Sequence, residues 1–304
     1  MRATLFRLFA AMLVLCVLSP SLVKAEDWRK KYPEIRIGVT AGENQTDMLG
    51  RWKRVADYLS KELGVKVIVR PASDYAGVIE AMKAKQLELA WYGPASFAKA
   101  WLITGGQIVP LVTHTGAEGA VGFCSVIAVK SDSPYKSVQD LKGKKLALAD
   151  PNSTSGNQAP RYFLGEQGIN VDTFFGSATF SGSHENSIMG LTNGTFDAAA
   201  TSWYSDEFSH ITRMESKGMI PQHSTRILWK SPLLPNDPWA MPAWLPEEMR
   251  GEVKKALLAM PAKAPDVLAN LFEGKAKSMV EVKMDDYAPV VDMIKANLEQ
   301  RKGS

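Results

Sequence analysis

The chain has 304 residues, 45% of them hydrophobic, with 36 Lys and Arg against 32 Asp and Glu and two cysteines. That length accommodates two lobes of roughly 100–150 residues each, and a net charge that falls to about +1 once Arg2, Arg7 and Lys24 are cleaved away offers no footprint for nucleic acid. With Cys16 also removed, Cys124 is a lone thiol, which excludes an internal disulfide framework.

In chain order, residues 1–25 read as a signal peptide: Arg2 and Arg7 precede the apolar run LFAAMLVLCVL, and Val23-Lys24-Ala25 supplies the cleavage site. The run is shorter than the roughly 20 apolar residues of a spanning helix, and the bulky Leu15 before Cys16 argues against a lipid anchor. The mature protein is expected to be exported and soluble. IRIGV then predicts a strand, 47–63 a helix closed by Gly64, and VKVIV a second strand. DYAGVIEAMKAKQ reads as a helix, LELAWYG as a strand, PASFAKAWLI as a helix and QIVPLVTHT as extended chain. From Gly122 a second series follows: FCSVIAVK, the short helix SVQDLKG, KKLALAD, the loop DPNSTSG and a helix to about Gly165. FFGSATF, HENSIMGLTNG, FDAAATSWY and a helix over 205–217 complete it. The tail from Glu247 is expected to be mostly helical.

This alternation predicts a largely parallel α/β sheet, and it places the unusual loops after strands, where open α/β sheets bind ligands. Residues 150–156, DPNSTSG, hold three hydroxyls in a row. A turn ending in a helix N-cap accounts for them, and so does an anion site in which helix amides and hydroxyls face a bound oxyanion. The loops SGSHEN and DYAG occupy equivalent positions after strands, which favours the anion reading. His184-Glu185 fails as a zinc motif because Ile188 stands where HExxH needs its second histidine. His114, His184, His210 and His223 show no ligand-like spacing, and GxSxG, GxxxxGK[ST] and His-x-His are absent. No enzyme activity, metal or cofactor is expected.

DYAG at 74–77, ELAWYGPAS at 88–96, DPNSTSG at 150–156, GSHEN at 182–186 and WKSPLLPNDP at 229–238 together resemble, in matching order, the substrate-binding proteins of phosphonate ABC transporters. The resemblance covers nearly the whole mature chain. It implies a type II periplasmic binding fold, with two α/β lobes joined by two crossover strands near Gly119–Gly122 and Ile227–Pro232 and the ligand in the interlobe cleft. Residues 26–119 and 231–304 would form lobe 1, and residues 120–230 an inserted lobe 2. It further implies a periplasmic monomer that hands its ligand to an inner-membrane ABC permease; a sensory module is the alternative use of the same clamp.

Carried over residue by residue, the resemblance makes Tyr75, Ser153, Thr154, Ser155 and His184 the phosphonate contacts. Asp237 becomes an acceptor for a ligand amine, as in 2-aminoethylphosphonate. Two positions depart from the family pattern: Phe123 stands for a tyrosine, and the second amine-binding carboxylate falls on Tyr204, with Asp206 close by in sequence. Tyr92 is expected to line the same pocket. Phosphite, methylphosphonate or another small oxyanion is the alternative ligand.

Overall fold

Two sheets organise the chain. The computed structural model describes residues 27–40, 45–116 and 119–302, so the expected signal peptide lies outside the described residues. The first run of strands is β1 (Glu34–Val39), β2 (Lys66–Pro71), β3 (Leu89–Trp91) and β4 (Ile108–Gly116). The second is β5 (Gly122–Lys130), β6 (Lys145–Leu148), β7 (Ser177–Phe180), β8 (Ala198–Ser205), β9 (Phe208–Ser209) and β10 (Thr225–Lys230). The chain ends with β11 (Leu234–Pro235), β12 (Trp239–Pro242) and β13 (Ala276–Glu281). One sheet has the order β13-β4-β12-β3-β1-β2; the other runs β10-β5-β8-β6-β7, with β11 on β5 and β9 on β8.

Both sheets are mixed, which corrects the expectation of a largely parallel one. β1 is parallel to β2 and β3, and β6 to β7 and β8, but β12 runs antiparallel to β3 and β4, and β5 antiparallel to β8 and β10. Parallel pairing needs a helical crossover within one sheet. β5 and β12 instead enter from the other sheet, so nothing in the local pattern announces their direction. The tail also contains β13, a sheet-edge strand of sequence AKSMVE in which only Met279 is buried. With so little alternation it carries no strand signal. The helix expected from Ser205 begins at His210, because Tyr204 and Ser205 continue β8 and Ser209 accepts a hydrogen bond from Thr212 N–H as its cap.

Apolar residues at helical and strand spacing bury both faces of each sheet. Trp52, from the helix Gln45–Leu63, meets Trp239 and Trp91 with ring centroids 5.1 and 5.4 Å apart. In the second sheet Ala198, Ala199 and Ala200 are completely buried, small enough for helices to close over either side. Each fully buried large apolar side chain contributes about 1.5–3 kcal/mol.

The chain crosses between sheets twice. After β4 it passes to β5 at Gly122; the return begins after Lys230, since Ile227–Lys230 still pair with β5, and runs through Leu234-Pro235 to Trp239. The crossings are stitched together: Asn236 Nδ2 donates to His114 O (2.9 Å) and Thr113 Oγ1 to Asp237 O (2.7 Å). The C-terminal helix Ala288–Lys302 packs Val290, Val291 and Ile294 against Ala95 and Ala159, residues of helices belonging to different sheets.

Candidate functional site

Five helices begin at one cavity between the sheets. Tyr75 opens Tyr75–Lys83, Gly93 precedes Pro94–Ile103, Ser153 precedes the π-type turn Thr154–Gln158, His184 opens His184–Thr192 and His210 opens His210–Ser216. All five residues line the cavity. Each follows the C-terminal end of a strand, the position where α/β sheets leave a ligand crevice. The caps serve their own helices: Ser153 Oγ accepts from Gly156 N–H, Ser183 Oγ from Asn186 N–H and Ser209 Oγ from Thr212 N–H. The aligned peptide dipoles at these starts add positive potential around the cavity.

Within the DPNSTSG loop, Ser153, Thr154 and Ser155 are 1–3% exposed and line the cavity. The glycine that follows is required by close approach: a Cβ on Gly156 would lie 2.5 Å from Ala149 Cβ and 3.0 Å from His184 Cε1. Thr154 reaches across to the other sheet, where its Oγ1 accepts from Ala95 N–H at 2.9 Å and completes a cap that Gly93 has no side chain to supply. Ser153 Oγ lies 3.2 Å from His184 Nε2, and Thr201 Oγ1 3.1 Å from His184 Nδ1, so both ring nitrogens of His184 are engaged inside the protein. Burial lowers the His184 imidazole to about 4, leaving it neutral at physiological pH.

Asp237 sits where the second crossing enters the cavity, 6% exposed. Tyr204 OH donates to its Oδ2 at 3.0 Å. Burial, only partly opposed by that hydrogen bond, pushes the carboxyl up to about 7. Rings enclose the Tyr204 side: Phe123 stacks on it at 5.0 Å, Phe208 lies 4.8 Å away and His114 5.9 Å away. His114 in turn stacks on Phe272 at 4.2 Å, and burial lowers its imidazole to about 3.

Two expected lining residues lie elsewhere. Tyr92 is fully buried in the first half's core beside Phe97, because successive side chains point to opposite sides and Trp91 takes the cavity side. Asp206 is exposed in the turn between β8 and β9, accepting from Trp203 Nε1 at 3.3 Å. Among the described residues lining the cavity, Asp237 is therefore the single carboxylate. No group of three or more metal-ligating side chains occurs among the described residues.

Sequence reasoning missed Arg51, Arg213 and His210, all in the lining. The arginines sit mid-helix with no local motif, and both reach Glu273: Arg213 Nε at 2.6 Å and Arg51 at 3.8 Å. His210 did carry a signal. Ser209-His210 repeats the Ser183-His184 dipeptide, each pair forming the cap and first residue of a helix.

Comparison with known proteins identifies the family. A family model described as "ABC transporter, phosphonate, periplasmic substrate-binding protein" matches residues 37–287. The chain is 30% identical over 227 residues to the Phosphonates-binding periplasmic protein of Escherichia coli (strain K12), a match covering 73% of this chain and 63% of that protein, less than two thirds of the relative's length. It is 29% identical over 272 residues to the Phosphate-import protein PhnD of Mycolicibacterium smegmatis, covering 86% of this chain and 83% of the relative. A crystal structure of a binding protein component of an ABC phosphonate transporter from Pseudomonas aeruginosa superposes with a TM-score of 0.76 at 25% identity, covering 86% of this chain and 85% of that one.

Proposed function

The chain belongs to the periplasmic substrate-binding proteins of phosphonate ABC transporters, and from that premise we propose that it captures a phosphonate between its two sheets and delivers it to an inner-membrane permease. The observation that carries this reading is the hydroxyl row Ser153–Ser155 set among five helix starts around a cavity of about 100 Å³. A single water needs about 10–15 Å³ measured the same way, so the cavity suits a small molecule. A phosphonate presents three acceptor oxygens, and hydroxyls with helix amides satisfy them without a fully compensating cation. In this reading Tyr75, Ser153, Thr154 and Ser155 meet the oxygens, and His184 acts on them through the Ser153 hydroxyl.

Asp237 would receive the ammonium of an aminoalkylphosphonate such as 2-aminoethylphosphonate, assisted by the Tyr204 oxygen. Its enclosure favours this over a purely structural turn, since a buried carboxylate is costly without a cationic partner. Residues 26–119 and 231–304 would act as one lobe and 120–230 as the other, hinged at the two crossings. Ligand contacts on both lobes would then favour the closed form. Residues 1–25 would be removed on export, and the mature chain would work as a periplasmic monomer. A second reading, in which the ligand is phosphite, methylphosphonate or another oxyanion without an amine, is favoured by one observation: among the described residues no second carboxylate lines the cavity.

Calorimetric titration of the mature protein with 2-aminoethylphosphonate, ethylphosphonate, methylphosphonate, phosphite, phosphate and sulfate tests both readings. A ligand at 100 times its Kd is expected to add about 2.7 kcal/mol to unfolding stability. No heat and no thermal shift with any phosphonate would overturn the proposed function.

A further inference from the structure

The histidine engaged with the hydroxyl row is His184, but its two nitrogens already face Ser153 and Thr201. Directly beside it lies His210, whose ring is stacked on His184 with centroids 4.3 Å apart and planes 12° from parallel. The two rings reach this position by the same local device. Each histidine follows a serine cap and is the first residue of its helix, one helix entering from β7 and the other from β9. His210 lines the cavity, and among the described residues its ring makes no hydrogen bond. An imidazole in either protonation state carries at least one N–H that favours an acceptor. Phe123 meanwhile supplies no hydroxyl to the same cavity.

Resting on the phosphonate reading above, we propose that His210 donates a ring N–H directly to the ligand's phosphonate, while His184 holds it in place by stacking and orients the Ser153 hydroxyl. The pair divides two tasks that a lone histidine would have to combine. His184 is fixed between two hydroxyls and sets the ring plane; His210, near-parallel to it, lines the cavity with no hydrogen-bond partner for its ring among the described residues. Burial keeps both imidazoles uncharged: it lowers His184 to about 4 and holds His210 well below the usual histidine range, where neighbouring His184, Arg213 and Arg51 add to the effect. The donor is then a neutral N–H, uncharged like the serine and threonine O–H donors beside it.

Binding of methylphosphonate and 2-aminoethylphosphonate to wild type, His210→Phe and His210→Gln tests this. Phenylalanine keeps a ring on His184 and removes the N–H; glutamine restores an N–H donor. A hydrogen bond to a charged acceptor predicts a loss of about tenfold or more for His210→Phe, equal for the two ligands, with a smaller loss for His210→Gln. In ¹⁵N spectra of the wild type, the His210 ring resonances should move on saturation with methylphosphonate. Unchanged affinity in a folded His210→Phe protein, or unmoved His210 resonances at saturation, would overturn the proposal and leave stacking as the residue's whole role. Should His210→Phe fail to fold, the wild-type spectra decide alone. A wild type that binds neither ligand would overturn the functional reading together with this one, whereas binding that survives His210→Phe intact removes only the role of His210.

Discussion

A carboxylate with one oxygen on a tyrosine hydroxyl and little access to water is costly to ionise, and Asp237, raised to about 7, titrates accordingly. Its folded value lies above the roughly 3.9 of an unfolded aspartate, so it binds a proton in the folded state first. The stability it contributes to the ligand-free protein is therefore fully present below about 4 and is lost as pH rises through about 7. An ammonium ligand reverses the preference by stabilising the ionised form. Affinity for 2-aminoethylphosphonate relative to ethylphosphonate should consequently rise between pH 6 and pH 8 (about one unit either side of that value), by more than the easier second ionisation of the ammonium-bearing phosphonate accounts for. Asp237→Asn should leave only that ligand contribution to the ratio. It should also weaken the amine ligand by about 3–5 kcal/mol while changing ethylphosphonate little, because only the first leaves a charge stranded. The four affinities give a coupling energy that a general folding defect cannot mimic; equal losses would reject the amine role and favour phosphite or an alkylphosphonate.

In the proposed site helix starts form the anion end, and the hydroxyl row divides its labour among them. Ser153 caps its own turn, Thr154 caps a helix of the opposite sheet, and Ser155 makes no side-chain hydrogen bond among the described residues. Ser155→Ala should thus weaken all phosphonates by about tenfold or more with little change in ligand-free melting. Thr154→Val should weaken them too, and in addition lower ligand-free stability by about 1 kcal/mol, the usual cost of a lost cap. Calorimetry and thermal melts on the two variants separate these outcomes; identical behaviour would mean that the Ala95 contact carries no energy. Most of these starts were legible as sequence, since Asp74, Ser153 and Ser183 stand in cap patterns directly after strand-like runs. What was not legible depends on distance in the chain. Nothing near Thr154 signals Ala95, 59 positions away, and nothing near Asp206 shows that its turn faces solvent. The directions of β5 and β12, the edge strand β13 and the arginines at the cavity are fixed by partners that meet only after the chain has crossed between sheets.

Across the whole molecule, the two halves meet at the cleft mouth through ion pairs as well as through the ligand cavity. Arg213, on the helix that starts at His210, reaches Glu273 of the other half at 2.6 Å, and one residue past the same helix Lys217 reaches Asp47 at 2.6 Å. Glu273 holds φ at +53°, a left-handed conformation that costs a residue with a Cβ of order 1–3 kcal/mol. Its carboxylate lies between Arg213 and Arg51, one guanidinium from each half. A contact formed only when the halves approach adds its energy to closure and not to recognition. Glu273→Gln should accordingly raise Kd for amine-bearing and amine-free phosphonates by the same factor, roughly fivefold if the partly buried pair is worth about 1 kcal/mol. If the two halves close on ligand as proposed, the change should appear mainly in the dissociation rate, because the pair would resist reopening. Screening weakens ion pairs at the surface, so wild-type affinity should fall more steeply with salt than that of the variant. Stopped-flow dissociation measured at two ionic strengths on both proteins decides the matter: a ligand-selective effect would move Glu273 from closure to recognition, and identical rates would show that the Glu273 pair adds nothing to the other contacts between the halves.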